Sequence, residues 1–268
     1  MAQGQHQKRR IHILVKAFPQ SSTKYEETVC CAGITEDTQE LLRLFPIRFR
    51  RLPKEEQFDR YDLVEMTVTK AADHRPESYH VDEDSIHLIE KGKTLSDESK
   101  VRLWLPHIAP SIKVLMAENK ATGRSLGIIR PDPGSLKFII KEAAKSDDED
   151  KAVAEMLFQQ ASFLEDPLKP MEKPKFSFTY KYTCDGHPHT HQIHDWEVQA
   201  AFIHYKRRYK TEEKALAMMQ QEYQENIPKH NLHFVMGTMK AHPQTFIVIG
   251  LLRSKLNPQE LDRQGALF

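Results

Sequence analysis

Tyr61-Asp62-Leu63-Val64-Glu65-Met66-Thr67-Val68-Thr69-Lys70 is the stretch that decides the fold class. Its side chains alternate, with Val64, Met66 and Val68 on one face and Leu63, Glu65, Thr67 and Thr69 on the other. That period of two marks a half-buried strand. Working outward, residues 11–18 and 28–34 are short, β-branched and apolar, bounded by turn residues, and read as two more strands. Residues 41–49 alternate in their second part, Ile47 and Phe49 opposite Arg48 and Arg50, and Pro46 makes this segment an edge strand or a bend. Residues 85–90 continue the pattern, which gives a β-rich, barrel-like domain over residues 1–145.

Ser96, followed by Asp97 and Glu98, starts a short helix through Trp104, because a hydroxyl cap and early acids suit the positive end of a helix. Residues 125–129 and 136–140 flank Pro131-Asp132-Pro133-Gly134 and read as a hairpin. An acidic helix beginning at Ser146-Asp147-Asp148-Glu149-Asp150 and a proline-punctuated connection, together residues 146–174, join this domain to the next. Residues 175–268 then read as strand, helix, helix, strand, strand, with one helix from about Asp195 to Tyr209 and another capped by Thr211. The expected class is α+β, a barrel-like amino-terminal domain followed by a small α+β domain.

A chain of 268 residues suits two modest cores, and 39% hydrophobic with 29% charged residues describes a globular protein. A net charge of +1 leaves no global field for nucleic acid, so any such binding must use a local patch. Apolar runs such as Phe246–Leu252, broken by Gly250, fall well short of the ~18–20 residues that span a bilayer, so no membrane partner is expected. The basic amino terminus is followed by only a short apolar segment, Ile11 to Val15, with no small-residue cleavage site, and Cys30, Cys31 and Cys184 are an odd set; both point to the cytoplasm.

Chemistry concentrates in Cys184-Asp185-Gly186-His187-Pro188-His189-Thr190-His191-Gln192-Ile193-His194-Asp195-Trp196-Glu197, read as a strand-to-helix turn. Cys184-x-x-His187 and His191-x-x-His194 each have the span of a zinc ligand pair, with His233 and His242 as remote donors, although the pattern is no known zinc signature. The competing reading is a polar surface turn. Asp195 and Glu197 have hard oxygen ligands suited to Mg²⁺, as in metal-assisted nucleic-acid cleavage, with Lys240 or His242 of the following loop assisting. Their ordinary reading is an N-cap and a first-turn acid, with Trp196 anchoring the helix in the core.

Arg48, Arg50 and Arg51 interleave with Ile47 and Phe49, a pattern that can grip phosphates and stack bases, or simply protect a sheet edge. Lys206-Arg207-Arg208 ends the Trp196 helix and suits its dipole, which makes it a weaker phosphate candidate. The phosphate loop, the dinucleotide fingerprint, Gly-x-Ser-x-Gly and His-Glu-x-x-His are all missing, which disfavours the chemistries they carry.

Through Arg43-Leu44-Phe45-Pro46, Asp195-Trp196-Glu197 and Phe234-x-x-Gly237-Thr238, the chain resembles an uncharacterised bacterial protein family. The resemblance spans most of the chain and implies no activity. The residues themselves lead to a nucleic-acid-interacting protein, with a metal-dependent nuclease at Asp195 and Glu197 as its catalytic form. The alternative is a non-catalytic structural or partner-binding protein whose 184–197 stretch is a polar or zinc-clipped turn.

Overall fold

The computed structural model describes residues 6–22, 26–143, 175–239 and 242–256. The expected acidic helix and proline connection fall on 146–174 and so lie outside the described residues. The chain begins with β1 (Gln7–Lys16), β2 (Gln20–Ser22), β3 (Glu26–Thr35) and β4 (Leu41–Ile47), and continues through β5 (Leu63–Lys70) and β6 (Ser78–Glu90). These pair in the order β1-β5-β6-β4-β3-β2, and β1 also pairs with β3, so the sheet closes on itself as a ring. The strand pairs of the ring are antiparallel except for the short parallel β4–β6 pairing at Arg43↔Ser78 and Leu44↔Tyr79. The strands part before Pro46, so β4 lies inside the ring's order and the bend beyond it is where Arg48 emerges.

The face of β5 expected to be buried is the ring interior: Val64, Met66 and Val68 meet Ile11, Ile13, Val29, Leu44, Ile47 and Phe58 there. The opposite face of β1 and β3 is not solvated either. Leu14, Val15, Ala32 and Ile34 pack beneath a second sheet with Val235, Ile249 and Leu252. This explains why residues 28–34 read as continuously apolar rather than alternating, since a strand covered on both sides has no polar face.

Two helices follow the ring, α1 (Asp97–Trp104) and α2 (Ile112–Thr122). The first begins as expected, with the Ser99 N–H donating to Ser96 Oγ at 3.0 Å. The second is an addition to the sequence reading, started by Ser111 and closed by Gly123 in the left-handed conformation. Next come β7 (Leu126–Ile129), β8 (Lys137–Glu142), β9 (Phe176–Cys184) and β10 (His187–Gln192). The last elements are α3 (Trp196–Tyr209), α4 (Glu212–Gln221), β11 (His233–Thr238) and β12 (Phe246–Leu252).

The hairpin expected across Pro131-Asp132-Pro133-Gly134 does not form. β7 joins the sheet β12-β11-β7, whereas β8 joins β10-β9-β8, and the turn carries the chain from one sheet to the other. Asp132 belongs to a different hairpin, accepting from Thr183 Oγ1 at 2.6 Å and from the Asp185 and Gly186 N–H groups at 3.0 and 2.9 Å. The β12-β11-β7 sheet lies between layers: Leu126, Ile128, Val235 and Ile249 face the ring. Phe234, Met236, Val248 and Leu251 face the β10-β9-β8 sheet and α3–α4.

Candidate functional site

The 184–197 stretch is a hairpin and a helix start rather than one turn. Asp185 and Gly186 have φ of 52° and 71°, the left-handed pair that a two-residue hairpin loop requires, and they link β9 to β10. Beyond them β10 alternates, so His187, His189 and His191 sit opposite Cys184, Tyr182 and Tyr180 in the ladder. The zinc reading needed Cys184, His187, His191 and His194 on one ion. Cys184 is buried, its Sγ 3.5 Å from the Arg130 carbonyl oxygen, and burial raises its pKa, which opposes the thiolate a metal needs. His187 is exposed. His191 bonds through Nδ1 to Tyr182 Oη at 2.9 Å, and burial followed by its neighbour His189 pushes its pKa down to about 4.

His194 lies past the end of β10, held at its backbone between the Val248 carbonyl and the Phe18 N–H, and burial lowers its pKa too. These four side chains are therefore spread along a hairpin instead of converging. Among the described residues no group of three or more His, Cys, Asp or Glu is arranged to hold a metal ion.

Asp195 caps α3, its Oδ1 accepting the Glu197 N–H at 2.9 Å. Its Oδ2 accepts two further bonds, from Arg60 Nη2 at 2.9 Å and from the Leu251 N–H at 2.9 Å. The carboxylate is 1% exposed, so the acid expected at a helix start proves to be a buried joint. Arg60 comes from the loop after the ring's β4, and it also bonds the Leu251 carbonyl and sits 3.0 Å from Glu197 Oε2. Burial opposes the guanidinium charge, but Glu197 and Asp195 outweigh it and hold Arg60 protonated. Burial, reinforced by Asp195, raises the Glu197 pKa against the pull of Arg60.

Arg60 thus fastens the ring to α3 and β12 at one point. Beside it, Lys16 Nζ donates to the Phe58 carbonyl at 2.5 Å and lies 4.3 Å from the Phe49 ring centre and 5.7 Å from that of Trp196. Trp196 accordingly packs against the ring's core rather than only beneath its own helix. Sequence reasoning missed Arg60 and Lys16. A lone arginine with partners 135 positions away leaves no local pattern.

Lys240 lies outside the described residues. His242 is exposed in the turn between β11 and β12, where its carbonyl accepts the Thr245 N–H at 3.1 Å. That turn is at the Phe246 end of β12, whereas Asp195 meets the strand at Leu251, about 17 Å away at the rise of a β-strand. The structure does not bring His242 to the carboxylates.

Arg48, Arg50 and Arg51 form the turn that leaves β4. Arg48 Nε donates to Glu83 Oε2 at 2.7 Å, and its N–H bonds the same carboxylate; Arg50 Nη1 donates to Glu27 Oε2 at 2.8 Å. Arg48 borders an open cleft of about 450 Å³ lined by Pro46, His80, Asp82, Glu83 and Asp84, whose charge is mainly acidic.

Two of the sequence's short motifs meet elsewhere. Arg43, 5% exposed, donates through Nη2 to Ser125 O at 3.1 Å and Ser125 Oγ at 3.2 Å, and Ser125 O also accepts the Thr238 N–H at 3.0 Å. A Cβ on Gly237 would stand 3.2 Å from Arg43 Nη2 and 2.9 Å from Ile249 Cδ1, so this position needs glycine to let the guanidinium pass. Arg43 and Gly237-Thr238 are therefore parts of one buried joint between the ring and the middle sheet.

A family model described as a domain of unknown function, DUF8758, matches residues 7–106. A second, also a domain of unknown function, DUF8757, matches residues 108–268, more than half of the chain. No curated protein matches the sequence.

Proposed function

For a chain that belongs to the DUF8757 family, preceded by a DUF8758 region, we propose a non-catalytic nucleic-acid-binding protein built on a small Greek-key barrel. The observation that carries this reading is the ring. Omitting the short β2, its strands close in the order first-second-third-fifth-fourth-first, with the third and fifth parallel. That is the connectivity of the OB fold, a five-stranded barrel widely used for oligonucleotides and oligosaccharides. Function resides in sites rather than in folds, so the surface that takes this ligand class is read from the side chains.

The non-catalytic part rests on Asp195. Each of its carboxylate oxygens already accepts protein donors, and Glu197 faces Arg60, so holding a divalent ion there would break the joint between ring and helix. Arg48 and Arg50 at the ring's rim can take phosphates only in exchange for Glu83 and Glu27.

The test is a titration of labelled single-stranded oligonucleotide with the full chain, repeated across salt concentrations and in the presence of Mg²⁺. Affinity falling steeply with salt, with the strand left intact, is the expected result. Salt-independent binding, or Mg²⁺-dependent cleavage abolished by Glu197→Gln, would overturn the reading.

A further inference from the structure

In an OB barrel the ligand crosses the outer face of the second and third strands. Here those strands are β3 and β4, and that face is taken: Ala32 and Ile34 lie under Val235, Ile249 and Leu252, and Arg43 lies under Ser125. If the chain binds nucleic acid, the binding surface has to be elsewhere. The rim arginines Arg48 and Arg50 are matched to glutamates, and the nearby cleft is acidic.

The last turn of α3 differs. Lys206, Arg207, Arg208 and Lys210 are all exposed, and Lys210 closes the helix in the left-handed conformation at φ 58°. Among the described residues Arg207, Arg208 and Lys210 have no carboxylate within ion-pair distance, and Lys206 has only Glu212 at 3.7 Å, which Lys175 holds at 2.5 Å. Aromatic rings adjoin these charges. The Arg208 guanidinium lies 5.6 Å from the Tyr209 ring centre, Tyr205 and Tyr209 are 6.3 Å apart, and exposed His204 lies 6.0 Å from Tyr205.

We propose that this turn, Lys206, Arg207, Arg208 and Lys210 with the His204 and Tyr209 rings, is where the protein grips single-stranded nucleic acid. The inference rests on the nucleic-acid reading above and locates its surface. Four cations within about 6 Å of helix can meet two or three successive phosphates, and flanking rings offer stacking that tolerates any base. An anionic membrane fits less well. A helix that binds a bilayer presents an apolar face, whereas the apolar face of α3, Val198 and Phe202, is buried in the core and, of its large apolar side chains, only Ile203 is exposed, at 40%.

The experiment is fluorescence anisotropy with the full chain and labelled oligo(dT) of about 16 nucleotides, long enough to span the whole turn and bind by stacking without sequence preference. Arg207→Glu/Arg208→Glu should weaken binding at least tenfold, and Arg207→Ala/Arg208→Ala should flatten the salt slope by about 1.4, at ~0.7 for each phosphate no longer neutralised. Arg48→Gln, read in parallel, should change affinity less than twofold. Both double substitutions are on exposed positions, and far-UV circular dichroism checks that each variant keeps its helices.

If the unmodified chain fails to bind, the nucleic-acid reading itself falls, and this surface with it. If it binds and both double variants bind equally well, the reading stands and the α3 surface is wrong. Loss of binding to phosphatidylserine vesicles in place of oligo(dT) would also overturn the proposal, in favour of a membrane surface.

Discussion

The basic side chains of the ring and those at the end of α3 have opposite fates. Arg60 is held by Asp195 and Glu197, Arg48 by Glu83 and Arg50 by Glu27, all within 3.0 Å. Arg207, Arg208 and Lys210 face solvent with no acid in reach among the described residues. Arg60 stands alone in sequence, but Arg48–Arg51 and Lys206–Arg208 look alike there, as arginine-rich runs beside aromatic residues. What separates them is whether the fold has already placed a carboxylate against each cation. A cation so matched contributes to architecture and must be released before it can hold a ligand; an unmatched one is available at once, though screened by salt.

The largest effect expected from this difference is at Arg60. Removing one partner of a buried pair leaves the other charge uncompensated, which typically destabilises by about 3–5 kcal/mol. Asp195 is 1% exposed and Arg60 14%, so Arg60→Ala should lower stability to urea on that scale. Arg207→Ala should leave the unfolding midpoint unchanged. An Arg60→Ala loss below about 1 kcal/mol would mean that the clamp is no more structural than a surface pair.

Much of this architecture was legible where the signal is local. Ser96 and Asp195 cap the helices they were expected to cap, and the alternation around Met66 does identify the ring interior. Signals that depend on partners distant in the chain were not. Asp132 looked like the corner of its own hairpin because proline and glycine surround it, yet its carboxylate serves the turn at Asp185-Gly186. The Asp185-Gly186 pair itself is a hairpin signal, masked by the histidines that drew the metal reading. Asp195-Trp196-Glu197 was legible as a helix start, but not as the partner of Arg60, because nothing near residue 60 in sequence marks a buried arginine.

A second way to sharpen the comparison uses a basic group that the fold keeps neutral. His233 is 1% exposed, beside Trp104, with Nδ1 2.8 Å from the Asn231 carbonyl, and burial pushes its pKa down to about 4 despite that bond. Unfolded, its pKa returns to about 6.5. Between those values the unfolded chain binds more protons, so stability is complete above about pH 6.5 and is lost as pH falls toward 4. The loss at pH 4.5 should be roughly 2–3 kcal/mol relative to pH 7. His191, lowered by burial and then by His189, acts in the same direction. Urea unfolding of His233→Leu at both pH values should show a clearly smaller difference; an unchanged difference would place the acid sensitivity elsewhere.

The smallest effect separates the two arginine runs most directly. Arg48 and Glu83 are 37% and 17% exposed, so their pair is only partly shielded from water and Arg48→Ala should lose about 0.2–1 kcal/mol. The loss stays small because Glu83 also accepts the Arg48 backbone N–H and keeps that bond in the variant. The substitution frees one side of an acidic cleft that includes Asp82 and Asp84, which makes the ring's rim more negative. If the rim were the nucleic-acid surface, this change would weaken binding well beyond its slight effect on stability. With the binding surface on α3, stability falls slightly and affinity does not follow. The two readouts on one variant therefore decide between matched and unmatched cations without any disturbance of the core.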